Sequence, residues 1–281
     1  MTIEQLPDGR LHLELRQSNL STYQMCPESL HAELTDPQPS TWTDATVIGT
    51  AFHAAVEYAL LEQREAEMAS RETMYSVAAN QVEEIGDWTF TRTARGNVQP
   101  TIEHLIDTWH ETSYGTYEPE LIEQPFKHLL WRDDQYDIWL KGTRDCVTTD
   151  GLVIDHKTTS SLRSWATWEK QRWAVQPTAY TWATWREESP RTPEMPERPF
   201  AYHIVATDGT AHQVSVWRDQ SHIDWLTQQA IQIATMVRTE LDKWPLNDSG
   251  WWCSDKWCNQ WANCKGKHMR SDWTRTLKGN E

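Results

Sequence analysis

Long hydrophobic runs are missing from this sequence of 281 residues. Its apolar stretches fall far short of the roughly 20 residues that a membrane-spanning helix needs. The segment 1–15 has no basic region followed by an apolar block, so we predict no secretory signal. Low-complexity tracts are also missing, which argues against a disordered or fibrous chain. We therefore expect a globular protein of the cytoplasm without a membrane partner.

Positive charge is scarce as well. The chain holds 26 Lys and Arg against 41 Asp and Glu, a net charge of −15. This balance disfavours a general binder of polyanions. The exception is the segment 265–281, in which five basic residues face two acidic ones. An acidic protein can still carry a local basic groove, in which metal ions help to hold nucleic acid.

Phenylalanine is rare and tryptophan takes its place, with four Phe against 18 Trp. The densest group comprises Trp165, Trp168, Trp173, Trp182 and Trp185. Tryptophans at such density either fill core positions or form a stacking surface for unpaired bases. We favour core positions for any single member of this group.

Hydrophobic periodicity and turn residues predict alternating types of secondary structure. The expected elements are, in order, a hairpin over 2–16, a short helix that ends near Pro27, helices within 49–113, three strands within 121–158, a helix that begins near Pro177, a hairpin over 199–217 and a helix over 219–243. This order indicates an α/β protein with a mixed central sheet flanked by helices.

The segment GLVIDHKTTS, residues 151–160, ends an apolar strand in charged residues. Side chains two apart in a strand share a face, so Asp155 and Lys157 project together while His156 points away. An exposed ion pair is one interpretation of this pattern. A carboxylate and an ammonium directed into a functional cleft are the other.

Asp145 joins this pair only in one register of the β-hairpin. A two-residue turn at Asp150 and Gly151 would turn Asp145 to the wrong face. A three-residue turn with a left-handed Gly151 would instead place Asp145 opposite Asp155, with Cβ atoms about 5 Å apart. Two carboxylates this close repel unless a cation lies between them, and a divalent metal ion is the obvious candidate.

Three of the five cysteines crowd into the C-terminal region with the spacing C-x4-C-x5-C: Cys253, Cys258 and Cys264. Cys26 precedes a proline near the other end. Thiolates at this spacing suit zinc or an iron–sulfur cluster, and disulfides are rare in the cytoplasm. Cys146 is expected to be a small buried apolar residue.

Together these motifs resemble those of a known protein family. Gly142-x-x-Asp145 followed by Ile154-Asp155-His156-Lys157-Thr158 resembles the core of the PD-(D/E)XK nucleases, in particular their RecB-like branch. The segment SNLSTYQMCP and the pairs Gly49…His53 and Gln176…Tyr180 are similar to further motifs of that branch. The cysteines resemble those of its iron–sulfur nucleases, which include the CRISPR-associated fourth Cas family and phage exonucleases.

The resemblance implies a restriction-endonuclease-like fold and assigns roles to residues. Mg²⁺ or Mn²⁺ would be held by His53, Asp145, Asp155 and the carbonyl of His156, and the catalytic residues would be Asp145, Asp155 and Lys157. A 4Fe–4S cluster, with zinc as the alternative occupant, would be held by Cys26, Cys253, Cys258 and Cys264. Gln176 and Tyr180 would contact DNA or support Lys157. Glu57 and Glu123 are lesser candidates for orienting the ligands.

We expect a single nuclease domain over 1–281. Its parts would be an N-terminal hairpin with the Cys26 helix (1–48), a helical region (49–115), the nuclease core (120–218), a helix with the cysteine segment packed against the N-terminal helix (219–265) and a basic tail (266–281).

The implied function is a metal-dependent exonuclease on linear, single-stranded DNA in recombination, repair or phage DNA metabolism. A homo-oligomer or a recombination-protein partner is compatible with it. The alternatives are a weakly active or inactive DNA-binding or assembly protein of the same fold, and a zinc-stapled interaction protein.

Overall fold

A computed structural model of the protein describes residues 1–37, 41–165, 174–250, 252–255, 257–261 and 264. The predicted basic tail 266–281, Trp168 and Trp173 lie outside the described residues. No helix in these ranges is both long and apolar enough to cross a membrane.

The described chain contains seven strands and seven α-helices. The strands are β1 (Thr2–Gln5), β2 (Leu11–Arg16), β3 (Pro119–Arg132), β4 (Tyr136–Thr148), β5 (Val153–Thr159), β6 (Arg198–Ala206) and β7 (Ala211–Arg218). The helices are α1 (Gln17–Met25), α2 (Pro27–Thr35), α3 (Asp44–Arg64), α4 (Arg71–Ile85), α5 (Val98–Thr112), α6 (Val175–Glu188) and α7 (Gln220–Arg238).

The strands form a mixed sheet, as the order of predicted elements required. The strand order is β1-β2-β4-β5-β6-β7, and β3 pairs with β4. β5 and β6 run parallel because the connection between them contains α6, whereas the hairpins β1–β2, β4–β5 and β6–β7 are antiparallel. The fold is therefore a mixed α/β fold, and the predicted hairpins over 2–16 and 199–217 are confirmed.

Contacts divide the chain into two compact units. The described parts of Met1–Ser40, Leu129–Leu140 and Thr227–Glu281 form the first unit, and those of Thr41–His128 and Lys141–Leu226 form the second. A single domain over the whole chain stays a prediction.

The core of the second unit lies between its helices and its part of the sheet. From the helices, Phe52, Leu105 and Trp109 are fully buried, and from the sheet Cys146 and Ile154 join the same cluster. Burial of such side chains is the main favourable contribution to folding. Trp182 and Trp185, at 4% and 3% exposure, are also buried, which confirms core positions for these two members of the tryptophan group.

Helix boundaries differ from the sequence prediction at two places. A second helix, α2, begins directly at Pro27, because proline fits the first turn of a helix and only the single extended residue Cys26 separates α1 from α2. α3 begins at Asp44 rather than near Gly49, because the side chain of Thr43 accepts a hydrogen bond from the Thr46 N–H at 3.3 Å and caps the helix.

The β4–β5 turn has three residues. Cys146 pairs with Ile154 and the Thr148 N–H donates to the Leu152 carbonyl at 2.9 Å, which leaves residues 149–151 as the turn. Gly151 adopts φ +82°, the left-handed conformation that this turn requires. The register continues to place Asp145 across from Asp155, and the tight two-residue turn is excluded.

Replacement of Gly151 by alanine should therefore cost stability. Alanine at this position would have to keep a left-handed backbone conformation that L-residues disfavour. We therefore expect Gly151→Ala to lower the free energy of unfolding by about 1–2 kcal/mol. Urea denaturation measures this loss. The matched control is Gly96→Ala, because Gly96 does not have positive φ and a Cβ there meets nothing within 4 Å. A loss of equal size in the control would contradict the argument from the turn.

Candidate active site

The central motif residues surround one cavity of about 570 Å³ in the second unit. Its walls come from α3, α4, β3, β4 and β5. The lining residues include the polar side chains His53, Glu57, Glu123, Asp145 and Lys157, and the rest of the wall is formed by Thr46, Gly49, Thr50, Ala54, Gln81, Thr143 and Thr158. Three carboxylates, an imidazole and an ammonium thus share one concave surface, which is a typical composition for a catalytic pocket.

Asp145 holds the two strands together where their backbone pairing stops. The pairing of β4 with β5 reaches Cys146 and Ile154, and the next free donor, the His156 N–H, binds Asp145 Oδ2 at 2.9 Å. The same oxygen lies 3.4 Å from His53 Nδ1 on α3. Asp145 therefore satisfies a backbone group that would otherwise lack a partner and still faces the cavity.

Asp155 and Lys157 project together, as the period of the strand predicted. Asp155 Oδ2 lies 2.5 Å from Lys157 Nζ, and Asp155 Oδ1 accepts a hydrogen bond from Gln176 Nε2 at 2.5 Å. The Asp155 side chain has no exposed surface, while Lys157 keeps 27% exposure. An exposed ion pair is thereby excluded.

Charge in this cluster is poorly neutralised by the protein alone. Burial and the neighbouring Asp145 raise the pKa of Asp155 to about 7, although Lys157 opposes them. Burial alone would lower the pKa of Lys157, but Asp155 and Asp145 outweigh it and raise that pKa. Lys157 thus remains an ammonium beside a carboxyl that is only partly ionised near neutral pH.

Glu123 is the site residue that sequence analysis underestimated. One donor atom each from His53, Glu123 and Asp145 lies within 4.8 Å of the others. Burial, with Asp145 and Glu57 nearby, raises the pKa of Glu123 to about 8. Its backbone has φ +45°, which is uncommon for a residue with a side chain and marks local strain within β3. That bend was invisible in the sequence, where the only signal was an acidic residue in an apolar strand.

His156 contributes its backbone rather than its ring. The imidazole is buried on the opposite face, where Nε2 lies 3.3 Å from the Tyr117 hydroxyl and the ring packs edge-on against Trp109. Burial and the nearby Lys157 lower the pKa of His53, although Asp155 and the backbone of His156 oppose this shift. The expected separation of His156 from Asp155 and Lys157 is confirmed.

Gln176 is half-buried and Tyr180 is buried. α6 begins at Val175, so Pro177 falls in its first turn and Gln176 reaches Asp155. The Tyr180 ring is 6% exposed and packs edge-on against Phe126 at a centroid distance of 5.7 Å. A Cβ at Gly142 would lie 2.9 Å from the Phe126 ring and 3.3 Å from the Tyr180 ring, so this motif glycine provides space for both.

The four outlying cysteines come together in the first unit. Cys26, Cys253, Cys258 and Cys264 are half-buried around a separate cavity of about 390 Å³. The Asn247 side chain donates to the Met25 carbonyl at 2.8 Å, so the chain just before the three C-terminal cysteines contacts the end of α1. Burial, reinforced by the other thiols, raises the pKa of Cys264 to about 11. Cys146 is buried in the core of the second unit and is not part of this group.

Comparison with known proteins assigns the family. Residues 14–265 match the sequence profile of the PD-(D/E)XK nuclease superfamily. The chain belongs to this superfamily. A search of curated proteins finds no match. A nuclease of this superfamily uses Mg²⁺ or Mn²⁺, and the oxygen and imidazole donors of His53, Glu123 and Asp145 suit such ions.

Comparison with solved structures finds matches that include two crystal structures, of which the first is similar in fold. The crystal structure of a "Putative exonuclease" from Eubacterium rectale superposes with a TM-score of 0.53 and 11% identity, covering 85% of this chain and 86% of its own. The crystal structure of SSO0001 gives a TM-score of 0.37 and 15% identity, covering 89% of this chain and 96% of its own. At such identities the first comparison concerns the fold alone.

Neutralising Glu123 should stabilise the metal-free protein at alkaline pH. Because its pKa rises from 4.5 to about 8 on folding, the folded state binds more protons and stability is lost as pH increases across that interval. We expect Glu123→Gln to increase the free energy of unfolding above pH 8 and to make little difference below pH 4.5. Urea denaturation in EDTA over this pH range measures the change.

The matched control is Glu120→Gln, an exposed carboxylate of the same strand that does not line the cavity. A pH-dependent gain in the control, or none in Glu123→Gln, would show that the cavity does not destabilise the charged Glu123.

Proposed function

We propose that this protein is a metal-dependent deoxyribonuclease of the RecB-like iron–sulfur branch and acts as an exonuclease on linear, single-stranded DNA. The observation that carries the proposal is the convergence of His53, Glu123 and Asp145 on the cavity that also receives Lys157. Membership of the nuclease superfamily supplies the reaction class. The preference for free ends and single strands rests on the sequence resemblance.

His53, Glu123, Asp145, Asp155 and the His156 carbonyl would hold one or two Mg²⁺ or Mn²⁺ ions. Their donor set is carbonyl, carboxylate and imidazole, which suits such ions. Burial, reinforced by neighbouring carboxylates, raises the pKa values of Glu123 and Asp155, and a cation bound beside them would favour their ionised forms. When bound, the metal polarises the scissile phosphate and acidifies a water molecule.

Lys157 would supply the positive charge that the protein itself contributes to the reaction. Its ion pair with Asp155 fixes the ammonium at the cavity wall, and Gln176 fixes Asp155 in turn. A preorganised ammonium stabilises the negative charge that develops on the phosphate and leaving oxygen. Tyr180 would support this arrangement by packing against Phe126 in the space that Gly142 leaves open.

The alternatives make different use of the same residues. An inactive DNA-binding or assembly protein would not need Asp145 and Lys157 in one cavity with Asp155 paired to Lys157 behind them. A zinc-stapled interaction protein would depend on the cysteine site alone. Partner proteins and a homo-oligomer stay predictions.

The four cysteines would hold a 4Fe–4S cluster. Four thiol donors around one cavity suit a soft metal or cluster. Burial raises the pKa values of Cys253 and Cys264, so these two thiols favour the neutral form until a metal binds. Such a cluster would tie Cys26 to a segment more than 200 residues away and stabilise the first unit. A reducing cytoplasm, the location we propose, would keep these thiols available.

Hydrolysis of DNA should depend on Asp155 and Lys157. We expect wild type to degrade linear single-stranded DNA with Mg²⁺ or Mn²⁺, and Asp155→Asn and Lys157→Ala to lose at least about a hundredfold in rate. Asp155→Asn would remove a metal ligand and the partner that positions Lys157, and Lys157→Ala would remove the positive charge that stabilises the reacting phosphate. Release of labelled nucleotides measures the rate, and comparison of linear with circular DNA separates exonuclease from endonuclease activity.

Asp208→Asn is the matched control, since Asp208 is an exposed carboxylate in the β6–β7 turn. Equal degradation by wild type and both active-site variants would rule out the proposed site. A wild type that binds DNA without degrading it would favour the inactive binding protein.

Protein purified without oxygen should be brown and absorb broadly in the visible range. We expect Cys258→Ser to lose this absorbance together with iron and sulfide, because one of the four thiol ligands is removed. Cys146→Ala is the control and should keep both. A colourless, zinc-loaded wild type would overturn the iron–sulfur assignment and favour zinc.

A further inference from the structure

A loop beside the candidate active site exposes aromatic side chains that the proposed chemistry does not use. Residues 86–97, between α4 and α5, form what we call the aromatic loop. Trp88 and Phe90 pack against each other at a centroid distance of 5.6 Å, and the Arg95 guanidinium lies over both rings, 5.6 Å and 6.0 Å from their centroids. Trp88 also packs against the core, so the cluster is anchored.

Asp44 fixes the aromatic loop to the first turn of α3. Its fully buried carboxylate accepts four hydrogen bonds, from the N–H groups of Thr91, Arg92 and Thr93 and from the Thr91 hydroxyl, at 2.5–3.0 Å. Burial would raise the pKa of Asp44, but these bonds outweigh it and lower that pKa. A loop held this firmly presents its side chains in a defined arrangement.

The aromatic loop borders the active-site cavity. Thr43 and Thr89 form a short parallel bridge, and Thr46, one turn into α3, lines the cavity. On the other side, Gln81 lines the cavity about one helical turn before α4 ends and the loop begins. Trp42 and the loop do not line the cavity themselves, but Thr43 and the start of the loop are each within about one helical turn along the chain of a residue that does.

The surface exposes aromatic and basic side chains, with the acidic Asp87 in the same loop. Trp42 and Phe90 keep 40% and 43% of their surface accessible, and Arg95 is exposed. Aromatic rings with an adjacent guanidinium are the groups on which unpaired bases stack and to which a phosphate backbone binds. In a protein of net charge −15, this arrangement complements a nucleic acid better than an acidic surface would.

We infer that the surface formed by Trp42, Phe90 and Arg95 binds unpaired nucleotides of the DNA strand that enters the cavity. The rings stack on the bases and Arg95 contacts the phosphates. A duplex offers no free base faces along its length, so the surface favours a single strand. The inference rests on the proposed single-stranded DNA substrate and adds the side chains that would hold the strand.

The test measures how tightly a short fluorescein-labelled oligothymidine binds to the full chain. Binding is measured by fluorescence anisotropy in EDTA, so that no metal supports hydrolysis. We expect Trp42→Ala and Phe90→Ala each to raise Kd on the order of tenfold, because each removes a stacking partner. Arg95→Ala should weaken binding and reduce its salt dependence. Binding of a blunt duplex should not change.

Two further variants separate stacking from damage to the fold. Phe90→Tyr keeps a ring and should bind like wild type. Trp217→Ala removes a tryptophan of 52% exposure from β7, away from the cavity lining, and should also bind like wild type. Unchanged Kd in Trp42→Ala and Phe90→Ala, or equal losses in Trp217→Ala or for the duplex, would overturn the inference.

Hydrolysis assays with Mg²⁺ or Mn²⁺ distinguish this result from a failure of the proposed function. Loop variants that bind and degrade single strands like wild type would overturn the binding surface while the nuclease remains. A wild type that binds single strands through the loop but degrades no DNA would support the surface and contradict the nuclease.

Discussion

The candidate site depends on one hydrogen bond, from the His156 N–H to Asp145 Oδ2. It replaces a backbone pair at the point where β4 and β5 separate, and so lets the strands open without leaving a donor unsatisfied. The opening provides room for the side chains of both strands, and the left-handed Gly151 sets the register that brings Asp145 there. A shift of one residue would turn the carboxylate to the other face of the sheet.

An ion pair and hydrogen bonds then position the other side chains of the site. Lys157 pairs with Asp155, Gln176 donates to Asp155, and the first turn of α6 holds Gln176 in place. The other wall presents His53 from α3 and Glu123 from a strained position in β3. Three carboxylates with one lysine leave an excess of negative charge, which is stable in the folded protein only through protonation or a bound cation.

A feature of the site could be predicted from the sequence when its cause lies within a few neighbouring residues. The alternation of a strand was enough to place Asp155 and Lys157 together and His156 apart, and the turn residues narrowed Asp145 to two registers. Glu123 was underestimated because its position depends on a backbone bend that neighbouring elements impose. α2 was missed because Cys26 and Pro27 read as the end of one helix, when they are also the start of the next. The spacing of Cys253, Cys258 and Cys264 was visible in the sequence, whereas the inclusion of Cys26 and the packing of the segment were expected only from the family resemblance.

The bonds of Asp44 connect segments that are almost fifty residues apart in sequence. The N–H groups of Thr91, Arg92 and Thr93 lie in an exposed loop. Because they are bonded to Asp44, we expect these hydrogen bonds to break only when the start of α3 is disturbed. Their exchange with deuterated solvent reports on that helix rather than on the loop. The edge of the cavity thus behaves as part of a cooperative unit with α3, which also carries His53, and local flexibility of the loop is limited by the stability of the helix.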